Sequence, residues 1–213
     1  MGKPAEGIEI EPPASRAEVG PIGPVLAAAF LDDPVWIGIG PRSRRHRALT
    51  NRLSFWGSVR ASARHRARIR IARTDGGDPA APPAGATISF EPGTWPPPDR
   101  AFAWQLPWAL ASGPLPLRRG MRADAIMRRT HVGHTHMYLW FIGVDPPLHG
   151  RGVGRALMVD VHRRSAELGL PTYLETGTEA NVGFYESFGY EVLGEIPMPG
   201  GARMWRMERP ADA

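Results

Sequence analysis

The sequence predicts a mixed α/β fold, a central sheet flanked by helices, and three observations predict it. Met137 to Val144 (MYLWFIGV) is a short apolar run, rich in aromatic and branched residues and closed by Asp145, Pro146 and Pro147, which reads as a buried strand. A glycine-rich turn, His149 to Gly154, leads from it into a segment where Val153, Leu157 and Val161 recur at helical spacing, with Ala156 alongside, until Gly169 and Pro171 stop it. The segments run in the order strand, two helices, two or three strands, helix, the Met137 strand, helix, strand, helix and closing strands. That order suits packed α/β layers and does not suit an all-parallel doubly wound sheet.

Ile8 to Glu11 reads as a first strand, ended by Pro12 and Pro13. Ser15 is placed to cap a helix reaching Phe30, with Gly20, Pro21, Gly23 and Pro24 interrupting its first half. A second helix is predicted over Ser43 to Ala63, with Leu49, Leu53, Trp56 and Val59 on its apolar face. Arg68 to Arg73 alternates charged and apolar residues like an edge strand, and Ala86 to Phe90 is its hairpin partner across an exposed loop, Thr74 to Pro83. Glu91 to Pro98 is again rich in Gly and Pro, and helices are predicted over Ala101 to Ala111 and Arg118 to Thr130. No internal repeat is present.

At 213 residues one domain, spanning 1–213, is expected, long enough for a proper core. The hydrophobic fraction of 42% is ordinary. There is no cysteine, which excludes disulfides, a thiolate metal site and a cysteine nucleophile. No apolar run reaches membrane-spanning length and no basic-then-apolar leader opens the chain, so a cytoplasmic protein without membrane association is expected. The net charge of +5 is carried almost wholly by arginine, densest from Arg42 to Arg73. It favours anions in general, and no nucleic-acid recognition motif accompanies it, so a nucleic-acid partner is not expected.

The turn between strand and helix has the makings of a phosphate cradle. Gly150, Gly152 and Gly154 let backbone N–H groups approach a ligand without Cβ obstruction, at the positive end of a helix whose first N–H groups have no internal partner. A P-loop needs Gly-Lys-Ser/Thr, and Lys3 is the only lysine. A dinucleotide GxGxxG needs a third glycine where Arg155 or Leu157 stands, and too little chain follows Glu175 to complete a doubly wound sheet. What His149 to Gly154 resembles is Q/R-x-x-G-x-G/A, the acetyl-CoA pyrophosphate loop of the GNAT superfamily of N-acetyltransferases, with His149 where Gln or Arg is usual.

A second block carries the same resemblance. Tyr173 to Tyr190 (YLETGTEANVGFYESFGY) places Asn181, Phe184, Tyr185, Glu186, Phe188 and Gly189 in the order and spacing of the family's N-x-x-x-FYE-x-x-GF pattern. Within the family the likeness runs to the small-molecule acetyltransferases, puromycin N-acetyltransferase among them, and LAAAFLDDP is a weaker match near the start. The likeness is clear over about 136–208, where it implies the acetyl-CoA-binding core of a mixed, mostly antiparallel sheet flanked by helices; the N-terminal half then forms the acceptor side. It implies acetyl-CoA as acyl donor, contacted by Ile142 and Val144 of the strand, by His149, Gly150, Arg151, Gly152, Val153, Gly154 and Arg155 of the loop, and by Asn181 and Tyr185.

Acetyl transfer to an amine needs four things: loss of an amine proton, a path to the thioester carbon, donors for its oxygen, and a proton for the departing thiolate. Tyr185, set by the resemblance near the thioester sulfur, can supply the last, because a phenol of pKa about 10 can donate to a thiolate whose acid lies near 8.5. Backbone N–H groups near Ile142 to Val144 are candidate oxygen donors. Strand alternation puts His136, Tyr138, Trp140 and Ile142 on one face and Met137, Leu139 and Phe141 on the other. His136 is then a candidate base or simply a strand-edge histidine; Glu175 is a second candidate, or the cap of the following turn; solvent is a third.

Phe30, Asp33, Trp36 and Tyr138 are candidate acceptor-binding residues, with Glu91 and Trp95 as further pocket candidates, although Asp33 also suits the start of a turn at Pro34. His131, His134 and His136 have no acidic partner at ligand spacing, so a solvated turn is expected and a metal is not. The expected function is transfer of an acetyl group from acetyl-CoA to the primary amine of a small molecule, such as an antibiotic or amino-acid-like metabolite, by direct attack in a ternary complex. The alternatives are a peptide or protein N-acetyltransferase and a non-catalytic acyl-CoA-binding regulatory module. A monomer or a homodimer is equally compatible with the sequence.

Overall fold

A computed structural model of the chain describes residues 7–74, 81–97 and 99–211. Seven strands, β1 (Ile8–Glu11), β2 (Arg68–Thr74), β3 (Gly85–Phe90), β4 (Met137–Val144), β5 (Thr172–Thr176), β6 (Glu191–Pro197) and β7 (Arg203–Arg209), form one sheet in the order β1-β2-β3-β4-β5-β7-β6. Every neighbouring pair is antiparallel except β4 and β5. The mixed, mostly antiparallel sheet is thus the one expected. The helices are α1 (Arg16–Ala29), α2 (Pro34–Ile39), α3 (Arg44–Arg64), α4 (Leu106–Ser112), α5 (Pro114–Thr130), α6 (Val153–Leu168) and α7 (Ala180–Glu186). None of the described helices is long and apolar enough to cross a membrane.

Two apolar layers cover the sheet. Ile22 and Leu26 of α1 and Phe55 and Val59 of α3 pack with Ile69, Ile88, Phe90 and Tyr138 on one face. On the other, Met158 and Val161 of α6 and Tyr185 of α7 pack with Met137, Leu139, Leu174 and Met207. A third cluster joins Val35 and Ile39 of α2, Trp108 of α4 and Ala123 of α5 to Met198 and Met204 at the β6–β7 end. This last cluster builds one wall of the site described below.

Several elements differ from the sequence expectation, each for a stated reason. Helix α1 runs unbroken through Pro21 and Pro24, because each proline follows a glycine, Gly20 or Gly23, and the ring meets no preceding Cβ. Ser15 stands at its N-cap without a side-chain cap bond, and Glu18 instead accepts from Ala14 N–H at 3.1 Å. Helix α2 is absent from the expectation, although Asp33 before Pro34 is an N-cap followed by a helix-starting proline. On α3, Leu49 is 55% exposed while Thr50, Asn51, Ser54, Ser58 and Ser62 are buried; Gln105 satisfies part of this polar face through Ser54 and Ser58. The expected helix over 101–111 is a 3₁₀ segment up to Gln105 and then α4, since Pro107 cannot donate into a continuous helix. Helix α5 begins at Pro114 rather than Arg118. The loop expected over Thr74 to Pro83 lies largely outside the described residues.

Strand β2 is interior rather than an edge, being paired with β1 on its other side. Its arginines are engaged: Arg70 Nε donates to Asp160 Oδ2 at 3.2 Å, and Arg68 Nη1 lies 2.7 Å from the same oxygen, oriented for charge contact rather than an aligned hydrogen bond. Asp160 is on α6 and 4% exposed, so these contacts fasten α6 to the sheet. Burial pushes the Asp160 carboxyl up, but the contacts from Arg68 and Arg163 and the charges of Arg68 and Arg70 outweigh it and hold the group below its ordinary value. Its stabilising contribution is therefore present above the ordinary value of 3.8 and is lost as pH falls through the lowered folded value. Asp160→Asn should cost about 3 kcal/mol or more at neutral pH, because it leaves part-buried arginine charge unpaired. Urea unfolding of both proteins at pH 7 and pH 3 checks this, the difference shrinking at the lower pH.

Candidate active site

The turn before α6 has the backbone of an anion cradle. Gly150 and Gly152 have φ of 75° and 84°, where a side chain would be strained, and Gly152 is the left-handed N-cap of α6. Among the described residues the N–H groups from Gly152 to Arg155 find no acceptor; the first to bond back is that of Ala156, to the Gly152 carbonyl at 3.0 Å. The His149 ring is spent on the protein itself, its Nε2 standing 3.1 Å from the Val144 carbonyl, to which it donates. That bond ties the turn to the end of β4. Arg155 lies over the Phe188 ring at 4.8 Å, and Arg151 is exposed beside the open N–H groups.

Beside this turn the sheet opens. β5 pairs with β4 only over Met137 to Leu139 and then leaves it, so Trp140 to Val144 have no strand partner on that side. A bulge against β3 adds Trp140, since Ile88 faces Phe141 while Ser89 faces Leu139. The bulge corrects the expected alternation: Trp140 and Phe141 both turn to the Tyr138 face, and Ile142 joins Leu139 on the other. Val144 packs toward α6, within reach of Gly154.

The cleft continues into a cavity of about 740 Å³ enclosed between the sheet, α2, α4 and α5. Four residues expected on the acceptor side, Phe30, Asp33, Trp36 and Tyr138, line it. So do Ile142, Glu175, Asn181 and Tyr185. Sequence reading missed much of the rest, including Trp108, Met127, Met198 and Met204, whose spacing marks them as core. Three acidic side chains, Asp33, Asp124 and Glu175, line the cavity, and among the described residues no arginine, lysine or histidine does. In a chain of net charge +5 that is a strong local inversion. Glu91 is not in this cavity; its carboxylate takes Arg164 Nε at 2.8 Å on the outer side. His136 is likewise outside, in a smaller pocket behind Tyr138 and Trp95.

Glu175 is 2% exposed at the side chain. One oxygen accepts from the Tyr138 hydroxyl at 2.7 Å and the other from the Tyr173 hydroxyl at 2.8 Å. Burial, and then the Glu175 charge, push both phenols up, Tyr138 well above its ordinary value, so both remain protonated donors. His131 stands edge-on to both tyrosine rings, with centroids 4.7 and 4.9 Å away, and is 14% exposed at its side chain. The solvated histidine turn expected from sequence is found at His134, which is exposed, and is corrected at His131, which aromatic rings bury; among the described residues no three His or carboxylate groups gather as a metal site.

Tyr185, 6% exposed, reaches the cavity from α7 with a hydroxyl that has no hydrogen-bond partner among the described residues. Burial, and secondarily the charge of Asp33, push its phenol up. Asp33 Oδ1 caps α2 by accepting from Val35 and Trp36 N–H at 2.8 and 3.2 Å, and Oδ2 accepts from the Thr178 hydroxyl at 3.3 Å. Burial raises its carboxyl pKa while the two backbone donors and Thr178 oppose the rise. The turn reading and the pocket reading of Asp33 are therefore compatible. Asn181 is exposed at the start of α7.

Comparison with known proteins agrees with this geometry. Residues 121–192, which hold β4, the glycine turn, α6, β5 and α7, match the model of the acetyltransferase (GNAT) domain. The fold is shared with a structure from Corynebacterium glutamicum described as histone acetyltransferase HPA2 and related acetyltransferase, at a TM-score of 0.70, 21% identity and 96% coverage of each chain. It is shared with the ribosomal-protein-S18-alanine N-acetyltransferase from Escherichia coli, at a TM-score of 0.54 and 15% identity over 96% of this chain and 94% of that one. The NatC complex bound to Gag peptide and CoA gives a TM-score of 0.54 and 13% identity over 96% of this chain and 98% of that chain. The splayed strands and glycine-capped helix thus sit in the segment, 121–192, that matches a GNAT acetyltransferase domain, and the whole chain shares its fold with these acetyltransferases.

Proposed function

We propose that the protein transfers an acetyl group from acetyl-CoA to the primary amine of a small molecule with an apolar, aromatic-sized body, by direct attack in a ternary complex. The observation that carries this reading is the cavity, walled by aromatic and methionine side chains, charged among the described residues only by carboxylates, and opening on the gap between β4 and β5. An alkylammonium head suits the carboxylates, and an apolar body suits the walls. A bound acetyl-CoA supplies the activated thioester. The residues present fit it: the open N–H groups from Gly152 to Arg155 suit a pyrophosphate, and the strand edge from Trp140 to Val144 suits the amide groups of its arm. With no cysteine in the chain, no acyl-cysteine stage is available.

The protein's own groups divide the remaining work. Glu175, reached directly or through the Tyr138 hydroxyl, takes the proton of the acceptor ammonium. Backbone N–H groups of the free β4 edge, from Ile142 to Val144, would be available as donors to a thioester oxygen. Tyr185, kept protonated by burial and without a hydrogen-bond partner among the described residues, is placed to donate to the departing sulfur. Asp33 holds α2 and the loop after β5 together, keeping the acceptor wall against α7. A thiol-release screen of acetyl-CoA against amines tests the substrate class. Arylalkyl and other apolar primary amines are expected to turn over, and turnover confined to peptides would sink the small-molecule reading.

Two variants probe the parts separately. A Cβ at Gly154 would lie 3.7 Å from Phe184 and Val144, an ordinary contact, so the fold tolerates one there while the phosphate approach is lost. Gly154→Val should weaken acetyl-CoA binding at least tenfold, on the order of 1.4 kcal/mol, as read by calorimetry, with thermal unfolding little changed. Tyr185→Phe removes one oxygen and keeps the ring; kcat should fall by roughly 10² to 10⁴, the usual worth of a positioned acid. The acetyl-CoA dissociation constant should stay as it is. Near-native turnover in the phenylalanine variant would take Tyr185 out of the mechanism.

A further inference from the structure

The smaller cavity, about 380 Å³ and lined by His131, His134 and His136, is separated from the acceptor cavity by the Tyr138 and Trp95 side chains, which line both. Glu175 is on the inner side and the histidines are on the outer. Four contacts cross the wall in series. The Tyr138 hydroxyl donates to Glu175 Oε2 at 2.7 Å, Glu175 Oε1 lies 3.7 Å from His131 Nδ1, His131 Nε2 lies 3.0 Å from His136 Nε2, and His136 Nδ1 lies 2.7 Å from the His134 carbonyl.

With both imidazoles neutral, hydrogen-bond chemistry fixes the protons along this series. A carbonyl oxygen only accepts, so His136 carries its proton on Nδ1, and the Nε2 of the neutral ring is a bare acceptor. His131 must then donate from Nε2, which leaves its Nδ1 bare and facing the Glu175 carboxylate. Acceptor faces acceptor, and the 3.7 Å separation is what such a pair should show. In this neutral state the row has room for one further proton, between Glu175 and His131.

We propose that His131 and His136 form a proton exit, through which the proton that Glu175 takes from the acceptor amine leaves for the solvent of the outer cavity. This rests on the acetyl-transfer reading above. The stoichiometry calls for such an exit: forming the C–N bond and breaking the C–S bond takes two protons from the ammonium nitrogen and returns one to sulfur, so one net proton leaves per turnover. The proton on Glu175 closes the gap to His131 Nδ1, His131 passes its Nε2 proton to His136 Nε2, and His136 releases one to water. His136 is suited to the last step, because burial, and the neighbouring His131 and His134, hold its pKa below the ordinary imidazole value against the opposing pull of the His134 carbonyl and Glu208. The other groups around the pair are engaged. Tyr173 donates to Glu175, Glu208 meets His134 at 2.5 Å, Asp124 pairs with Arg128 at 2.8 Å, Arg206 donates to the Thr130 carbonyl, and Glu91 pairs with Arg164. His131 and His136 are positioning and transfer residues; they touch no substrate.

Two experiments test the exit. Imidazole ¹⁵N shifts in the protein alone should show neutral His136 protonated on Nδ1 and neutral His131 on Nε2, with Glu175→Gln moving the His131 signals. A His131 proton on Nδ1, already bonded to Glu175, would overturn the relay. With an amine found by the thiol-release screen, His131→Phe should lower kcat about tenfold or more. KM and the dissociation constant for acetyl-CoA should stay as in the wild type, and added imidazole should restore rate in proportion to its concentration. His136→Phe, at the rim, should behave alike and covers a failure of the buried variant to fold. Unchanged kcat in both, or a loss that imidazole does not mend, counts against the exit. Failure of the wild type to acetylate any amine sinks the substrate reading alone, since the tautomers are read without a substrate.

Discussion

The parting of β4 and β5 after three residue pairs is the constraint on which the site depends. Backbone groups in a sheet are ordinarily consumed by their neighbours, and a strand edge held open inside a protein is an unmet hydrogen-bonding surface. Here Trp140 to Val144 are left open on the β5 side while β3 holds them firmly on the other. The opening is kept by what fills it from either flank. Tyr185 and Phe184 of α7 pack beneath it against Leu139 and Met158, and the turn before α6, tied by His149 to the Val144 carbonyl, closes its far end. The bulge at Trp140 occurs where the strands part and sends two consecutive aromatic rings, Trp140 and Phe141, into the acceptor wall.

Electrostatics then divide the molecule into two ligand-facing regions. The α6 turn offers unpartnered N–H groups at the positive end of a helix, beside an exposed arginine, and selects an anion. The cavity, among the described residues, is charged only by carboxylates in apolar surroundings, and on the proposed reading it suits a cation with an apolar body. The two regions meet at Tyr185, whose neutral phenol is maintained by burial where a charged group would be costly. The buried Glu175 is tolerated for a related reason: two tyrosine hydroxyls satisfy its oxygens, and their own protons are held by the same burial. Loss of either hydroxyl would leave a buried carboxylate short of a partner.

What the sequence determined by itself is the part written in local signals. Gly150 and Gly152 between an apolar strand and an amphipathic helix specify a turn that most side chains could not adopt, and the FYE block fixes where α7 presents Tyr185. The charge alternation of β2 and the branched run of β3 marked a hairpin, and the breaks at Gly169 and Pro171 ended α6 where a left-handed glycine does end it. Local signals carry this much because backbone torsions and helix ends are decided by neighbours in sequence.

Only the tertiary structure decided the rest, because it depends on residues far apart in the chain. The bulge at Trp140 reversed the faces of β4 beyond it, which no alternation in MYLWFIGV announces. The polar buried face of α3 follows from Gln105, fifty-one positions from Ser54, so that Leu49 is exposed despite its helical spacing. The base candidates were reordered for the same reason. Glu175 meets Tyr138 across thirty-seven positions and lines the larger cavity, and His136 meets His131 in the smaller one. Burial, which sets both the proton inventory of that row and the charge of the cavity, belongs to the packed fold and to no segment of the chain.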